Sequence, residues 1–362
     1  MSLIKVKSRG TDNVSGRRNI IINGALLVAQ RGTSFSSIAN NAYSLDRWLY
    51  YEIGDSVSDA SQSTDTPNNN FKNSLKLDVQ TADTSVATGD LTCFLQKIEG
   101  LNTYQLGWGT SDAETVTLSF WVKSTKTGIH SGAFKNSAQD RSYVFEYTVN
   151  VSNTWEHKTI TVVGDTSGTW LTTSGIGVQV TFALMAGTDF TKTAGSWGDG
   201  NNYGSDNQVN VMDSASNEWY ITGVQLEVGS QATPFEHRSF GEELSLCHRY
   251  YYEISTNTHD GYKYPMFDAH AWNSSAINVC IKLPVVMRTS PTLTFNNGSG
   301  WWRFYRNNGN DPFDNMQADG SGSHSIDMQS NGGISATSGD AGRLQMRRAG
   351  GANPAIKCSA EL

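Results

Sequence analysis

The chain has 362 residues, a formal net charge of −7, and 10 tryptophans, 14 tyrosines and 35 glycines against only 7 prolines. That length supports two domains with well-developed cores. The composition reads as many short strands joined by polar turns, which excludes a helical protein. Charge is uneven along the chain. Residues 1–18 carry Lys5, Lys7, Arg9, Arg17 and Arg18 against Asp12; residues 19–237 carry 11 basic and 22 acidic side chains; residues 238–362 carry 11 of each. A net-acidic body without a basic stripe excludes nucleic acid as the expected partner, because phosphate neutralisation needs clustered Lys and Arg. No apolar run of 18 residues is present, so no membrane span is expected, and residues 1–18 lack the apolar segment of a signal peptide. The four cysteines (93, 247, 280, 358) show no metal spacing and are expected to be reduced and mostly buried.

In chain order, residues 1–18 form a basic extended arm, expected to dock onto a larger assembly through its five cations. Asn19-Ile-Ile-Ile-Asn-Gly-Ala-Leu26 reads as a strand and a turn. Strands are then expected at 46–51, 74–79, 92–98, 115–123, 143–149, 155–163 and 178–184, each with one apolar face at period 2, as two packed sheets require. The acid-rich stretch 55–70 reads as a solvated loop. Trp48, Trp121 and Trp219 lie on strands and are expected in the core. Residues 220–228 suit a final half-buried strand with Gly223 as a possible bulge, and Gly229 to Pro234 punctuate the chain. Residues 242–252 open as a short helix and end in an aromatic run that favours a strand. Further strands are expected at 275–283, 292–295, 300–305, 323–328 and 332–337, making a second, smaller β-sandwich with long loops. No repeat of 20–50 residues recurs, which argues against a repetitive β-helix.

The segment Gly-Val-Gln-Leu-Glu-Val-Gly-Ser-Gln-Ala-Thr-Pro-Phe-Glu-His-Arg-Ser-Phe-Gly-Glu-Glu-Leu-Ser-Leu-Cys-His-Arg-Tyr-Tyr-Tyr-Glu (223–253) resembles the junction in tail-fibre and virion-surface proteins of tailed bacteriophages. There, a carbohydrate-binding-like β-sandwich is followed by an oligomerising β-domain. Asn-(apolar)₃-Asn-Gly near the start and Trp-x-Ile-x-x-Val-Gln-Leu-Glu at the end are similar to the first and last strands of a jelly-roll carbohydrate-binding module, bracketing residues 19–236. The resemblance implies an all-β protein in three parts. These are an N-terminal docking arm (1–18), a galactose-binding-like jelly-roll sandwich (19–237) and a C-terminal β-domain (238–362) that assembles a homo-oligomer, a trimer. It also implies a virion protein, made in the host cytoplasm, that contacts other virion proteins and a host-surface polysaccharide.

No catalytic signature stands against this reading. The seven histidines show no HExxH, and neither a nucleophile elbow nor a phosphate-binding loop is present. The expected function is therefore a non-enzymatic tail fibre or appendage. A capsid decoration protein and a glycan-degrading tailspike with a carboxylate pair are the alternatives. Sugars stack on flat aromatic faces in polar-rimmed sites. Trp108, Trp170 and Trp197, among loop residues, and Trp301 and Trp302, beside Arg303 and Arg306, are the candidate platforms. Tyr250, Tyr251 and Tyr252 are the candidate oligomer interface. No cofactor is required. The resemblance allows a structural calcium ion, with Asn23, Glu227 and Asp46 at the matching positions.

Overall fold

A computed structural model describes residues 18–255, 261–307, 309–330, 332–348 and 353–362. Lys5, Lys7, Arg9 and Arg17 of the expected arm lie outside the described residues. The chain divides into two compact units, the first reaching to Glu243 and including Leu362, the second running from Leu244 to Glu361.

The strands of the first unit are β1 (Ser34–Phe35), β2 (Ala42–Tyr43), β3 (Leu49–Ile53), β4 (Val57–Ser63), β5 (Ser74–Thr81), β6 (Leu91–Glu99), β7 (Val116–Ser124), β8 (Gly128–Lys135), β9 (Arg141–Val149), β10 (Glu156–Val162), β11 (Ile176–Ala186), the short β12 (Thr191–Lys192), β13 (Trp197–Asp199) and β14 (Gly204–Ser205), and β15 (Glu218–Val228). They form two main sheets, ordered β1-β4-β5-β15-β7-β10 and β13-β9-β8-β11-β6-β3-β2. Within each, neighbours pair antiparallel. β15, last in sequence, is inserted between β5 and β7, and β11 between β6 and β8. Such crossovers between sheets are those of a jelly-roll sandwich.

Alternation builds the sandwich. In β7, Val116, Leu118, Phe120 and Val122 are fully buried, and the intervening Thr117, Ser119, Trp121 and Lys123 lie on the other face. Between the sheets, Phe182 of β11 meets Trp48 (ring centroids 6.2 Å), Phe120 (5.1 Å), Phe145 (6.2 Å) and Trp219 (6.2 Å), and Phe94 stacks on Trp219 at 6.0 Å. The Trp48 indole N–H donates to the Asn23 carbonyl at 3.1 Å.

Two segments differ from expectation. Residues 19–26 form no strand. Asn19 Nδ2 donates to the Val224 carbonyl (3.0 Å), and Asn23 brackets the backbone of Val28 through both ends of its amide. These side-chain bonds replace a ladder while Ile21 and Leu26 are still fully buried. The stretch 55–70 is not all loop, because β4 occupies its middle and pairs with β5 along its length. Acidic and hydroxyl residues conceal β4 by composition, yet Ser58 and Ala60 are buried on one parity.

Helix α1 (Phe240–His248) spans the division between the units, with Ser239 accepting from the Glu242 N–H and Glu242 and Glu243 in its first turn, where the helix dipole favours carboxylates. The first unit extends past the expected boundary at 237 because Arg238 donates to the Asn19 and Ile21 carbonyls and the Asn23 N–H donates to Glu243. The second unit then contains β16 (Tyr251–Ser255), β17 (Gly261–Ala271), β18 (Ile277–Lys282), β19 (Thr292–Asn296), β20 (Trp302–Arg306), β21 (Gly309–Phe313), β22 (Met316–Ser321), β23 (Ser325–Ser330), β24 (Ala341–Arg348) and β25 (Ala355–Ser359). Its sheets are ordered β16-β25-β19 and β21-β20-β24-β17-β18-β23-β22 around Trp302, Phe304, Ile326, Met328, Leu344 and Ile356. The expected strand at 332–337 is absent there. Cys93, Cys247 and Cys358 are buried, and Cys280 is exposed.

Phe182→Ala is expected to cost about 3–5 kcal/mol, since it empties the centre of the inter-sheet cluster; a denaturant midpoint unchanged from wild type would contradict that placement. A second expectation concerns His130. Its ring is buried against Tyr147 (5.5 Å), and one nitrogen pairs with the Lys126 carbonyl at 2.9 Å. Burial pushes its pKa from the ordinary 6.5 down to about 4, against the opposing pull of that carbonyl. The unfolded chain therefore takes up a proton that the folded chain refuses. This contribution is complete above pH 6.5 and is lost as pH falls towards 4, by on the order of 3 kcal/mol at most. Urea titrations at pH 7 and pH 5 should show a smaller stability difference in His130→Gln than in wild type.

Candidate functional site

The outer faces of the two sheets of the first unit are treated differently. On the β13-to-β2 sheet, the chain between β11 and Val211 folds back over the surface. Tyr203 lies parallel to Tyr51 (6.4 Å, interplanar angle 3°), Phe190 meets Tyr203 edge-on at 5.6 Å, and the Lys135 ammonium lies 3.2 Å from the Tyr203 ring centre. With Leu49, Leu91, Cys93 and Leu95 beneath, this is a small second core.

The β1-to-β10 sheet carries an open groove on its outer face, of about 910 Å³. Its floor is Ser119 and Trp121 of β7, His157 of β10 and Gly223 of β15. Its sides are Asn68, Asn70 and Phe71 from the β4–β5 loop, and Ala232, Thr233, Pro234, Phe235 and His237 from the chain after β15. Trp121 pairs across strands with His157, and the two rings lie 5.1 Å apart. Phe71, Phe235 and His237 form a second aromatic group, with centroids 5.3 Å, 5.4 Å and 4.8 Å apart.

The bulge shapes this floor. Pairing of β15 with β7 shifts register between Thr222 and Gln225, and Gly223 adopts φ +61°. A Cβ there would lie 2.8 Å from Phe71 Cζ and 3.2 Å from Trp121 Cδ1, so glycine both accepts the left-handed backbone and lets the two rings close over it. The wall after β15 is fixed in turn. Glu227 accepts from the Thr233 N–H (2.8 Å), the Thr233 hydroxyl (2.7 Å) and Gln225 Nε2 (2.9 Å), and the Glu236 N–H donates to Gln225 (2.8 Å).

This arrangement suits an uncharged, hydroxyl-rich ligand with flat C–H faces. Half-buried rings offer stacking surface, and the amides, hydroxyls and imidazoles at the rim offer both donors and acceptors. Among the described residues no carboxylate lines the groove.

The residues expected from sequence are placed elsewhere. Trp108 is buried and packs edge-on against Trp170 (4.9 Å) and Trp197 (5.1 Å), which meet each other at 5.4 Å. All three indole N–H groups donate to backbone carbonyls, those of Glu114, Ser167 and Val163. They plug one end of the sandwich, with only Trp170 and Trp197 partly exposed. Trp302 has no exposed surface and belongs to the second core, so its ring cannot stack on a ligand; Trp301 is partly buried against the same core. Tyr250 is fully buried and Tyr251 nearly so, with only Tyr252 half-exposed, so the aromatic run serves the interior of its own chain and not an open interface. Arg18 is fixed by Thr233 and Pro234, with its N–H on Glu236, and is not part of a free arm.

Nor do Asn23, Asp46 and Glu227 form a calcium cradle. Asp46 accepts from the Gln30 backbone (2.7 Å) and side chain (2.6 Å) with Arg31 3.8 Å away; Glu227 is taken by Thr233 and Gln225; Asn23 brackets Val28. Each oxygen faces an N–H or O–H donor, whereas a calcium site needs oxygens converging on one point. Among the described residues no group of three His, Cys, Asp or Glu side chains is placed to hold a metal.

Trp121 was expected in the core, and its outward position was legible. It shares the parity of Thr117, Ser119 and Lys123, opposite to Val116, Leu118, Phe120 and Val122. Phe71, Phe235 and His237 carry no such signal, since they lie on loops that meet only in the fold.

No family model matches the chain, and no curated protein matches it in sequence. Among solved structures it is similar to the enzymatically active domain of tailspike protein 4 of bacteriophage CBA120, at 16% identity and a TM-score of 0.31. That match covers 58% of this chain and 21% of the tailspike chain. It is also similar to a carbohydrate-binding module, TmCBM61, in complex with β-1,4-galactotriose, at 10% identity, 59% and 100% coverage and a TM-score of 0.31. A family 11 carbohydrate-binding module from Clostridium thermocellum, in complex with a mixed-linked β-1,3-1,4 tetrasaccharide, matches at 11% identity, 56% and 98% coverage and a TM-score of 0.28. With TM-scores this low, the functional reading rests on the groove.

Gly223→Ala is expected to destabilise the first unit by about 1–3 kcal/mol, through the left-handed backbone and the displaced Phe71 ring. Chemical denaturation followed by far-ultraviolet circular dichroism checks it; a variant as stable as wild type would mean that the bulge is not built as described.

Proposed function

We propose that this protein is a non-enzymatic bacteriophage virion protein, a tail fibre or similar appendage, whose first unit holds host-surface glycans in the groove floored by Trp121. The observation that carries the glycan reading is a tryptophan presented outwards from the sheet, beside His157 and the aromatic cluster of Phe71, Phe235 and His237, under a rim of amide and hydroxyl groups. Hydrolysis by paired carboxylates needs two acids flanking the bond, and the described residues that line the groove supply no such pair. The phage assignment is supported by the resemblance of residues 223–253 to the tail-fibre junction. A virion displaying many copies, each a homotrimer, would gain attachment strength through multivalency, so weak single-site affinity suffices.

The test is a glycan array probed with the full-length protein, followed by titration of the best glycan against wild type and Trp121→Ala. Binding to at least one bacterial polysaccharide, weakened about tenfold or more by the substitution without loss of folding, is the expected result. Equal binding by the two proteins would remove the groove from the function.

A further inference from the structure

The outer face that carries the groove continues beyond it. Strand register places residues in cross-strand rows. His157, Trp121 and Thr222 form one row, and Lys123 and Tyr220 lie in the next, two residues further along the strands. Trp155, directly before β10, extends that second row, and its ring meets Tyr220 edge-on at 6.1 Å. At the rise of an antiparallel strand the two rows are about 7 Å apart, a separation suited to neighbouring rings of a linked sugar chain.

The second row is built, not incidental. Lys123 is almost fully buried, with its ammonium 4.1 Å from the centre of the Tyr220 ring, and it pairs with Asp65. The other Asp65 oxygen accepts from the Trp155 indole N–H at 2.8 Å, which fixes the plane of that ring. Burial raises the Asp65 pKa, yet the bonds from Lys123 and Trp155 outweigh it and hold the carboxyl below its ordinary range. Tyr220 donates to Glu218 at 2.8 Å, and Glu218 pairs with Lys76 at 2.8 Å. Lys123 and Lys76 are thus each paired, Lys76 with Asp78 (3.0 Å) as well as Glu218, so the row offers hydrogen bonds and a ring with its ammonium groups already occupied. Asp65 also belongs to the β4–β5 loop that supplies Asn68, Asn70 and Phe71 to the groove, so one loop walls both rows.

We infer that the site has two subsites and takes a linear glycan of at least two sugar units lying along β7 and β10, one ring on Trp121 with His157 and the next on Trp155 beside Asp65, Lys123 and Tyr220. This rests on the glycan-binding reading of the groove and adds to it a length requirement, a direction along the strands and a second platform. A single sugar fills only the Trp121 end. A chain gains the second ring contact without a second loss of overall freedom.

The experiment is calorimetric titration of the full-length protein with size-graded fractions of one, two, four and six sugars, prepared by mild hydrolysis of dextran, cellulose, galactan and mannan. In at least one series, affinity should rise about tenfold from one sugar to two or more. Trp155→Ala should abolish that gain while leaving single-sugar affinity unchanged, and Trp121→Ala should weaken every length. Asp65→Asn, which frees the indole without removing it, should reduce the gain only in part. Affinity independent of length in wild type overturns the inference while leaving the glycan reading intact, and this arm needs no variant to fold. A gain that survives in folded Trp155→Ala overturns the second platform. No binding by wild type to any fraction overturns the inference together with the reading on which it rests.

Discussion

The contact on which the first unit depends is the aromatic junction between its sheets, where Phe182 touches Trp48, Phe120, Phe145 and Trp219. Each of these rings buries on the order of 150–250 Å², and the residues come from strands far apart in the sequence. Closing the junction sets the parity of every strand that contributes to it. Once Phe120 faces inwards, Trp121 must face outwards, and once Trp219 does, so must Tyr220. The external groove is in this sense a consequence of the core.

An outward ring on a sheet is ordinarily exposed to solvent on both faces. Here three devices hold the rings in place. The Gly223 bulge lets Phe71 and Trp121 approach each other, Glu227 and Gln225 pin the segment that carries Phe235 and His237, and Asp65 ties Trp155 to Lys123. Ion pairs at a surface contribute little stability individually. Their effect in this network is to fix orientation, and a binding site benefits from rings fixed before the ligand arrives.

The two outer faces of the sandwich illustrate how a single architecture divides its roles. One is covered by the chain's own Phe190 and Tyr203 and becomes interior. The other receives only loops at its margin and remains a groove. The alternation of the strands is similar in the two sheets; the difference lies in where a long connection happens to return.

The all-β class, most strands, the helix at 240–248, the burial of three of the four cysteines and the bulge at Gly223 were legible in the sequence, because period-2 alternation and glycine placement are local properties of the chain. The outward parity of Trp121 was equally local, although its aromatic character pointed to the core. β4 was not legible, since its Ser, Asp and Gln residues alternate in burial without alternating in hydropathy. The roles of Trp108, Trp302, Tyr250 and Tyr251 were decided only by tertiary packing, which buried them. The groove itself was decided there too: Asn68, Phe71, Trp121, His157, Phe235 and His237 are spread over some 170 residues of chain and meet only through sheet register and loop return, and no local pattern encodes which distant segment a loop will face.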